Sequence, residues 1–225
     1  SSVFETMLIG DTYKIDENKI KKIIPGVDKK IFIPDSSVKK ENIILSIGRI
    51  QKQKGQIQTL EFLNNFKKIE KDFKCYFIGG PSGKNGNEYL NELKQSVEEF
   101  NLNTHVEFLD TLPQTEIIDL FKKAKLMIHT SQFETFGLVA IEANAMGVPV
   151  LTTNNGSLME IIENNKNGYL SDSLLDGNVN NFVNNLFNDN AKYEEISSSC
   201  IEKSKKYDWV KTTNELESLY KQLVR

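Results

Sequence analysis

Residues 125–151 read KLMIHTSQFETFGLVAIEANAMGVPVL, and this stretch decides the fold. Leu126-Met127-Ile128-His129 is a short β-rich run, Leu138 to Met146 has helical period, and Val148-Pro149-Val150-Leu151 is β-rich again. A strand, a loop, a helix and a strand in that order form a βαβ unit, whose two strands lie parallel.

Working outward, the same alternation starts at Asn42. The spacing predicts strands at 43–47, 73–78 and 105–108 before this unit, and a weaker one at 168–170 after it. Helical segments run from Gln56 to Lys68, Glu88 to Phe100 and Thr115 to Lys123, the last following Pro113. The fold expected is therefore α/β: a doubly wound, Rossmann-like parallel sheet with helices on both faces, spanning residues 42–190. Residues 191–225 read as helical. Toward the N-terminus an amphipathic start leads to a short strand at Ile20–Ile24, the turn Pro25-Gly26-Val27-Asp28, and a lysine-rich linker at 29–41. The chain opens Ser1-Ser2-Val3 and runs straight into an apolar segment, which reads as an excerpt of a longer protein, a processed or tagged start being the plain alternative.

Composition narrows the function classes. A formal charge of −3 supplies no basic excess to release phosphate counterions, which argues against a nucleic-acid binder. Two cysteines, Cys75 and Cys200, make no disulfide framework, so a reducing cytoplasm is the expected compartment. No apolar run approaches the length of a transmembrane helix.

In an open parallel sheet, ligands sit beyond the carboxyl ends of the strands, so chemistry is sought in the loops that follow each strand. After the first strand come Gly48-Arg49-Ile50-Gln51-Lys52-Gln53-Lys54-Gly55. Gly48 allows close backbone approach, and Arg49 with Lys54 offers two cations, which suit a diphosphate; a solvated basic loop is the other reading. The loop Gly79-Gly80-Pro81-Ser82-Gly83-Lys84-Asn85 is no P-loop, because only three residues separate Gly79 from Gly83 and Asn85 replaces the metal-binding hydroxyl. No G-x-G-x-x-G follows a strand, which weakens a dinucleotide dehydrogenase. The loop from Ser131 to Leu138 is the richest. Gly137 and Leu138 present backbone N–H groups at a helix N-terminus, a geometry that favours anions. Glu134 precedes the helix and Glu142 lies about one turn inside it, so the two carboxylates can reach separate polyol groups on one extended ligand. A glycosidase acid/base pair competes but leaves the cations without a role.

These motifs resemble a family. G-R-x-x-x-x-K-G after the first strand, F-E-T-F-G-L-x-x-x-E-A-x-A-x-G-x-P-V after the fourth and P-G-V-D upstream resemble the C-terminal domain of glycosyltransferase family 4, retaining enzymes of the GT-B fold. Tyr207-Asp208-Trp209 and the helix to Leu223 resemble that family's final helix, so the likeness covers about residues 20–223. The resemblance implies that Arg49 and Lys54 hold the donor diphosphate, with Gly48, Thr135, Phe136, Gly137 and Leu138 lining the same donor site. It implies that Glu142 binds ribose hydroxyls, that backbone near Leu112 meets the base, and that Glu134, the catalytic candidate, orients the transferred sugar for front-face attack. The resemblance implies a UDP- or GDP-sugar as donor, with neither metal nor cofactor expected.

Two departures stand out: Asp110 replaces a frequent glycine, and Asn155-Gly156-Ser157 only partly follows the family's glycine pair. By the same resemblance, residues 1–41 are the end of an acceptor-binding N-terminal domain plus the linker, and residues 191–225 pack back on that domain. The acceptor, a glycan or another lipid-linked molecule, is by this resemblance reached through the missing domain, so the fragment is expected to bind donor without transferring sugar. A GT-B epimerase and a non-catalytic sugar-nucleotide-binding module are the alternatives. The lysines from Lys19 to Lys40 read as a solvated face or as a contact for acidic lipid at the inner face of a membrane. His129, near the proposed site, reads as a satisfied histidine at a strand end, a catalytic base being the alternative; His105 reads as structural, Cys75 as buried packing, and Trp209 as a core anchor or an interface residue.

Overall fold

The structure, a computed structural model, describes residues 2–16 and 19–224. Its centre is a parallel sheet of β1 (Glu41–Ile47), β2 (Lys74–Ile78), β3 (Val106–Leu109), β4 (Ala124–His129), β5 (Val150–Thr153) and β6 (Gly168–Ser171). The order across the sheet is β3-β2-β1-β4-β5-β6. β1 is central: Ile44 lies opposite Cys75 of β2 on one side and Leu126 of β4 on the other. β4 is buried along its whole length, as a strand covered on both faces must be.

Alternating side chains feed two apolar layers. On one face Ile44, Cys75, Phe77, Leu126 and Leu151 meet α2 (Gln56–Phe66), α3 (Gly86–Glu99) and α7 (Gly177–Asn188). On the other, Leu45, Ile78, Met127 and Val150 meet α4 (Gln114–Lys123), α5 (Leu138–Ala145) and the short α6 (Leu158–Ile161). Phe66 anchors the first layer, with ring centroids 5.4 Å from Phe62 and 5.5 Å from both Phe73 and Phe187.

The expected doubly wound sheet is present, and two details differ from the sequence reading, while two more settle what it left open. Ile20–Ile24 forms no strand; it lies against α9 (Trp209–Leu223), where Thr212 Oγ1 donates to the Ile24 carbonyl at 2.6 Å. A short β-rich run with no neighbouring strand to pair with docks on a helix instead. The asparagine-rich stretch 177–188, not foreseen as an element, is α7. Its buried Val179, Phe182, Val183, Leu186 and Phe187 recur at helical spacing, and Asp176 caps its start by accepting from Asn178 N at 2.8 Å. The apolar start is a helix, α1 (Val3–Tyr13), with no buried residue. Trp209 is no core anchor, being 52 % exposed at the head of α9.

Of the tail, α8 (Asn190–Ser204) is built into the sheet domain, placing Tyr193, Ile196 and Cys200 in the first apolar layer. Its Tyr193 hydroxyl donates to the Gly147 carbonyl at 3.3 Å, just beyond α5. At the amino ends of the strands, Lys40 donates to the Phe121 carbonyl at 3.0 Å and Lys125 to the Phe187 carbonyl at 2.8 Å. Both carbonyls lie in last helical turns, where an ammonium also meets the negative end of the helix dipole. Burial lowers Lys40 to about 8, partly countered by the nearby Glu194 carboxylate and Cys200.

Candidate functional site

The strand order reverses direction at β1 and β4, so the loops after these strands open away from one another and leave a crevice between them. The sequence then pulls the two loops together. After β1 a single 3₁₀ turn, Lys52–Lys54, ends at Gly55 in the left-handed region with φ 66°. A Cβ there would sit 2.3 Å from the Thr130 carbonyl oxygen, so only glycine permits this approach. Thr130 Oγ1 donates to the Gly55 carbonyl at 2.7 Å, and Gln132 N donates to the Gln53 carbonyl at 2.8 Å.

That stitching places Lys54 against Glu134, 80 residues away in sequence. Lys54 Nζ lies 2.9 Å from Glu134 Oε2, and His129 Nε2 lies 3.0 Å from the same oxygen. Burial pushes the Glu134 carboxyl up, but hydrogen bonds from His129 and Lys54, reinforced by their charges, hold it down at about 2. Its backbone is fixed as well. Ser157 donates to the Glu134 carbonyl through both N and Oγ, each at 3.1 Å. Gly156, with φ 61°, leaves room for that carbonyl where a Cβ would come within 2.5 Å.

Glu142 contrasts with Glu134. It lies on the second turn of α5, and no hydrogen bond or ion pair reaches its carboxylate among the described residues. Burial raises it to about 7, leaving a carboxyl whose lost hydration nothing in the protein replaces. At the head of α5, Gly137 caps the helix with φ 87°, and the N–H groups of Gly137 and Leu138 meet no acceptor among the described residues. Leu138 is 43 % exposed.

Gly48, Arg49 and Leu112 line a cleft of about 360 Å³ at the carboxyl ends of β1 and β2. Arg49 is exposed and meets no carboxylate among the described residues. Asp110, the departure noted above, folds back on its own backbone and accepts from Thr111 N at 2.7 Å. Thr135 is exposed, whereas the Phe136 ring turns inward and packs edge-on against Tyr207 with centroids 6.0 Å apart.

From the sequence alone His129 reads as structural, and the roles of Gly55, Thr130, Gly156 and Ser157 do not show. The available signals were a histidine ending a buried, mostly apolar strand with a threonine just after it, and glycines beside polar residues in loops after strands. His105 is structural, its ring 4.6 Å from that of Phe73. Of the lysines from Lys19 to Lys40, Lys22 pairs with Glu160, Lys29 pairs with Asp208, and Lys40 caps α4. Cys75 and Cys200 are free and buried. Among the described residues no group of three or more acidic, histidine or cysteine side chains could hold a metal ion, and no helix is long and apolar enough to cross a membrane.

The architecture belongs to the Rossmann-like α/β class, with its polar loops gathered at the switch point of the sheet. The profile of glycosyl transferases group 1 matches residues 28–207, and the chain belongs to that family. Among curated relatives, it is 27 % identical to D-inositol 3-phosphate glycosyltransferase of Corynebacterium urealyticum, over 96 % of this chain and 54 % of that protein. The chain thus spans about half the length of that relative. Among solved structures, the C-terminal domain of the glycosyl transferase group 1 family protein LpcC from Francisella tularensis is similar with a TM-score of 0.71 at 26 % identity. That likeness covers 81 % of this chain and 99 % of the other. The Anabaena protein HepE, crystallised with UDP and glucose, shares the GT-B fold with a TM-score of 0.84 at 23 % identity, over 96 % of this chain and 60 % of that one.

Proposed function

We propose that this chain is the donor-binding lobe of a retaining, metal-independent glycosyltransferase of family 4 that uses a UDP- or GDP-sugar. The observation that carries the reading is the meeting of Lys54 and Glu134 at the β1/β4 switch point, a cation and an ionised carboxylate side by side at 2.9 Å. A sugar nucleotide needs both, one for its diphosphate and one for its sugar hydroxyls. Arg49 and Lys54 hold the diphosphate together with the Gly137 and Leu138 amides, and these groups neutralise the leaving diphosphate without a metal ion. Gly48 lets the ligand approach the backbone, and the main chain near Leu112 meets the base. Thr135 and Phe136 contribute backbone to the sugar side of the site.

Glu142 accepts from the ribose hydroxyls, which restore the hydrogen bonds that burial took from it. Glu134 accepts from hydroxyls of the transferred sugar and orients it for front-face attack. The UDP bound in HepE and the glycosyltransferase relatives support a nucleotide-sugar donor. The acceptor, a glycan or a lipid-linked molecule, binds outside this lobe, and the exposed lysines Lys19, Lys30 and Lys39 are left for an acidic membrane surface.

Calorimetric titration with UDP and GDP, without metal and then with magnesium, tests the reading. One lobe of a two-lobed cleft should bind one nucleotide with a Kd on the order of 0.1–1 mM. Binding should be independent of magnesium and lost in Arg49→Ala. Binding that requires magnesium, or that survives Arg49→Ala unchanged, would refute it.

A further inference from the structure

The Glu134 carboxylate has two oxygens, and only one of them has a partner among the described residues. Lys54 and His129 both reach Oε2, while Oε1 meets no donor among the described residues. The two partners differ in their freedom to move. His129 ends the buried strand β4, and its side chain is 6 % exposed, with two torsions to define it. Lys54 closes a single 3₁₀ turn, is 19 % exposed, and carries its charge on a flexible four-carbon stem. An incoming diphosphate can draw the lysine away. It cannot draw the histidine.

We propose that His129 is a positioning residue: its Nε2–H keeps Glu134 Oε2 engaged when Lys54 turns to the diphosphate, so that Oε1 stays presented to the transferred sugar. The inference rests on the donor-site reading above. An ionised carboxylate only accepts, so Nε2 must carry a proton. Without the histidine, Glu134 would lose its last donor as Lys54 departed, and a half-buried carboxylate so stranded would reorient or take up a proton. Ser157 and Gly156 hold the Glu134 backbone but touch neither carboxylate oxygen, so the side chain's direction falls to His129.

Two measurements test this. Titration of the 225-residue chain with UDP and with UDP-glucose compares wild type, His129→Ala, His129→Gln and Glu134→Ala. His129→Ala should weaken UDP-glucose about fivefold to tenfold while changing UDP less than about twofold, and His129→Gln, which keeps an N–H donor, should recover part of the loss. Adding His129→Ala to Glu134→Ala should change nothing further. If Glu134→Ala selectively weakens UDP-glucose and His129→Ala does not, His129 has no positioning role and the donor reading stands. If the chain binds neither UDP nor UDP-glucose, GDP and GDP-glucose take their place in the same comparison, and if Glu134→Ala is without selective effect on the pair that binds, the donor reading itself falls.

Nitrogen NMR of the imidazole needs no variant. Nε2 should be protonated in the free protein, and its resonance should persist when UDP is added while the Lys54 ammonium signal shifts. An unprotonated Nε2, or a His129 signal that changes as much as that of Lys54, would overturn the proposal.

Discussion

Glu142→Gln should make the protein more stable at alkaline pH and worse at binding nucleotide. Burial raises the Glu142 carboxyl from 4.5 to about 7, and no cation offsets it among the described residues. Ionising it in the folded protein is therefore harder than in the unfolded chain. Between pH 4.5 and 7 the folded state holds more protons than the unfolded one, so stability falls as pH rises through that window and levels off above it. Each unit of difference is worth about 1.4 kcal/mol, so the full penalty is about 3 kcal/mol above pH 7 and vanishes below pH 4.5.

Glutamine keeps the shape and removes the charge. At pH 8 the variant should gain about 2–3 kcal/mol, or several degrees in Tm for a chain of this size. At pH 4.5 it should match wild type. Urea melts at the two pH values read the difference, and UDP titration reads the accompanying loss of affinity. A gain of equal size at both pH values, or none at pH 8, would refute the claim that Glu142 is desolvated and unpartnered.

Two further outcomes follow from the geometry. Lys54→Ala should weaken UDP or GDP by about 1.5–3 kcal/mol in calorimetry, and a loss below threefold would remove Lys54 from the phosphate site. Gly156→Ala forces a Cβ to within 2.5 Å of the Glu134 carbonyl in a left-handed backbone, so urea melts should show a cost of about 1–3 kcal/mol. A neutral Gly156→Ala would mean that this loop does not hold Glu134.

How much was legible in the chain depended on how local the signal was. The strands of the sheet show as short β-rich runs at regular spacing, and α2, α3, α4 and α5 show as helical periods between them. The loop from Ser131 to Leu138 shows its glycine, its carboxylate and the helix behind it in one line of sequence. The helix α7 was hidden because asparagine, a weak helix former, fills its exposed face, although its apolar spacing is helical. Ile20–Ile24 misled for the opposite reason, since β-rich composition makes no strand without a neighbour to pair with.

By itself, the sequence determined the class of fold, the loops that matter and the types of residue in them, because periodicity, capping and turn chemistry act over a few residues. Only the tertiary structure decided who meets whom. That β1 lies beside β4 follows from the order of strands across the sheet, and this adjacency joins Lys54 to Glu134 and His129. Packing also decided that one glutamate is held ionised at about 2 while its neighbour eight residues on is raised to about 7. The two carboxylates are the same residue type in the same motif. They differ because cations and hydrogen bonds surround one, and burial without a partner surrounds the other.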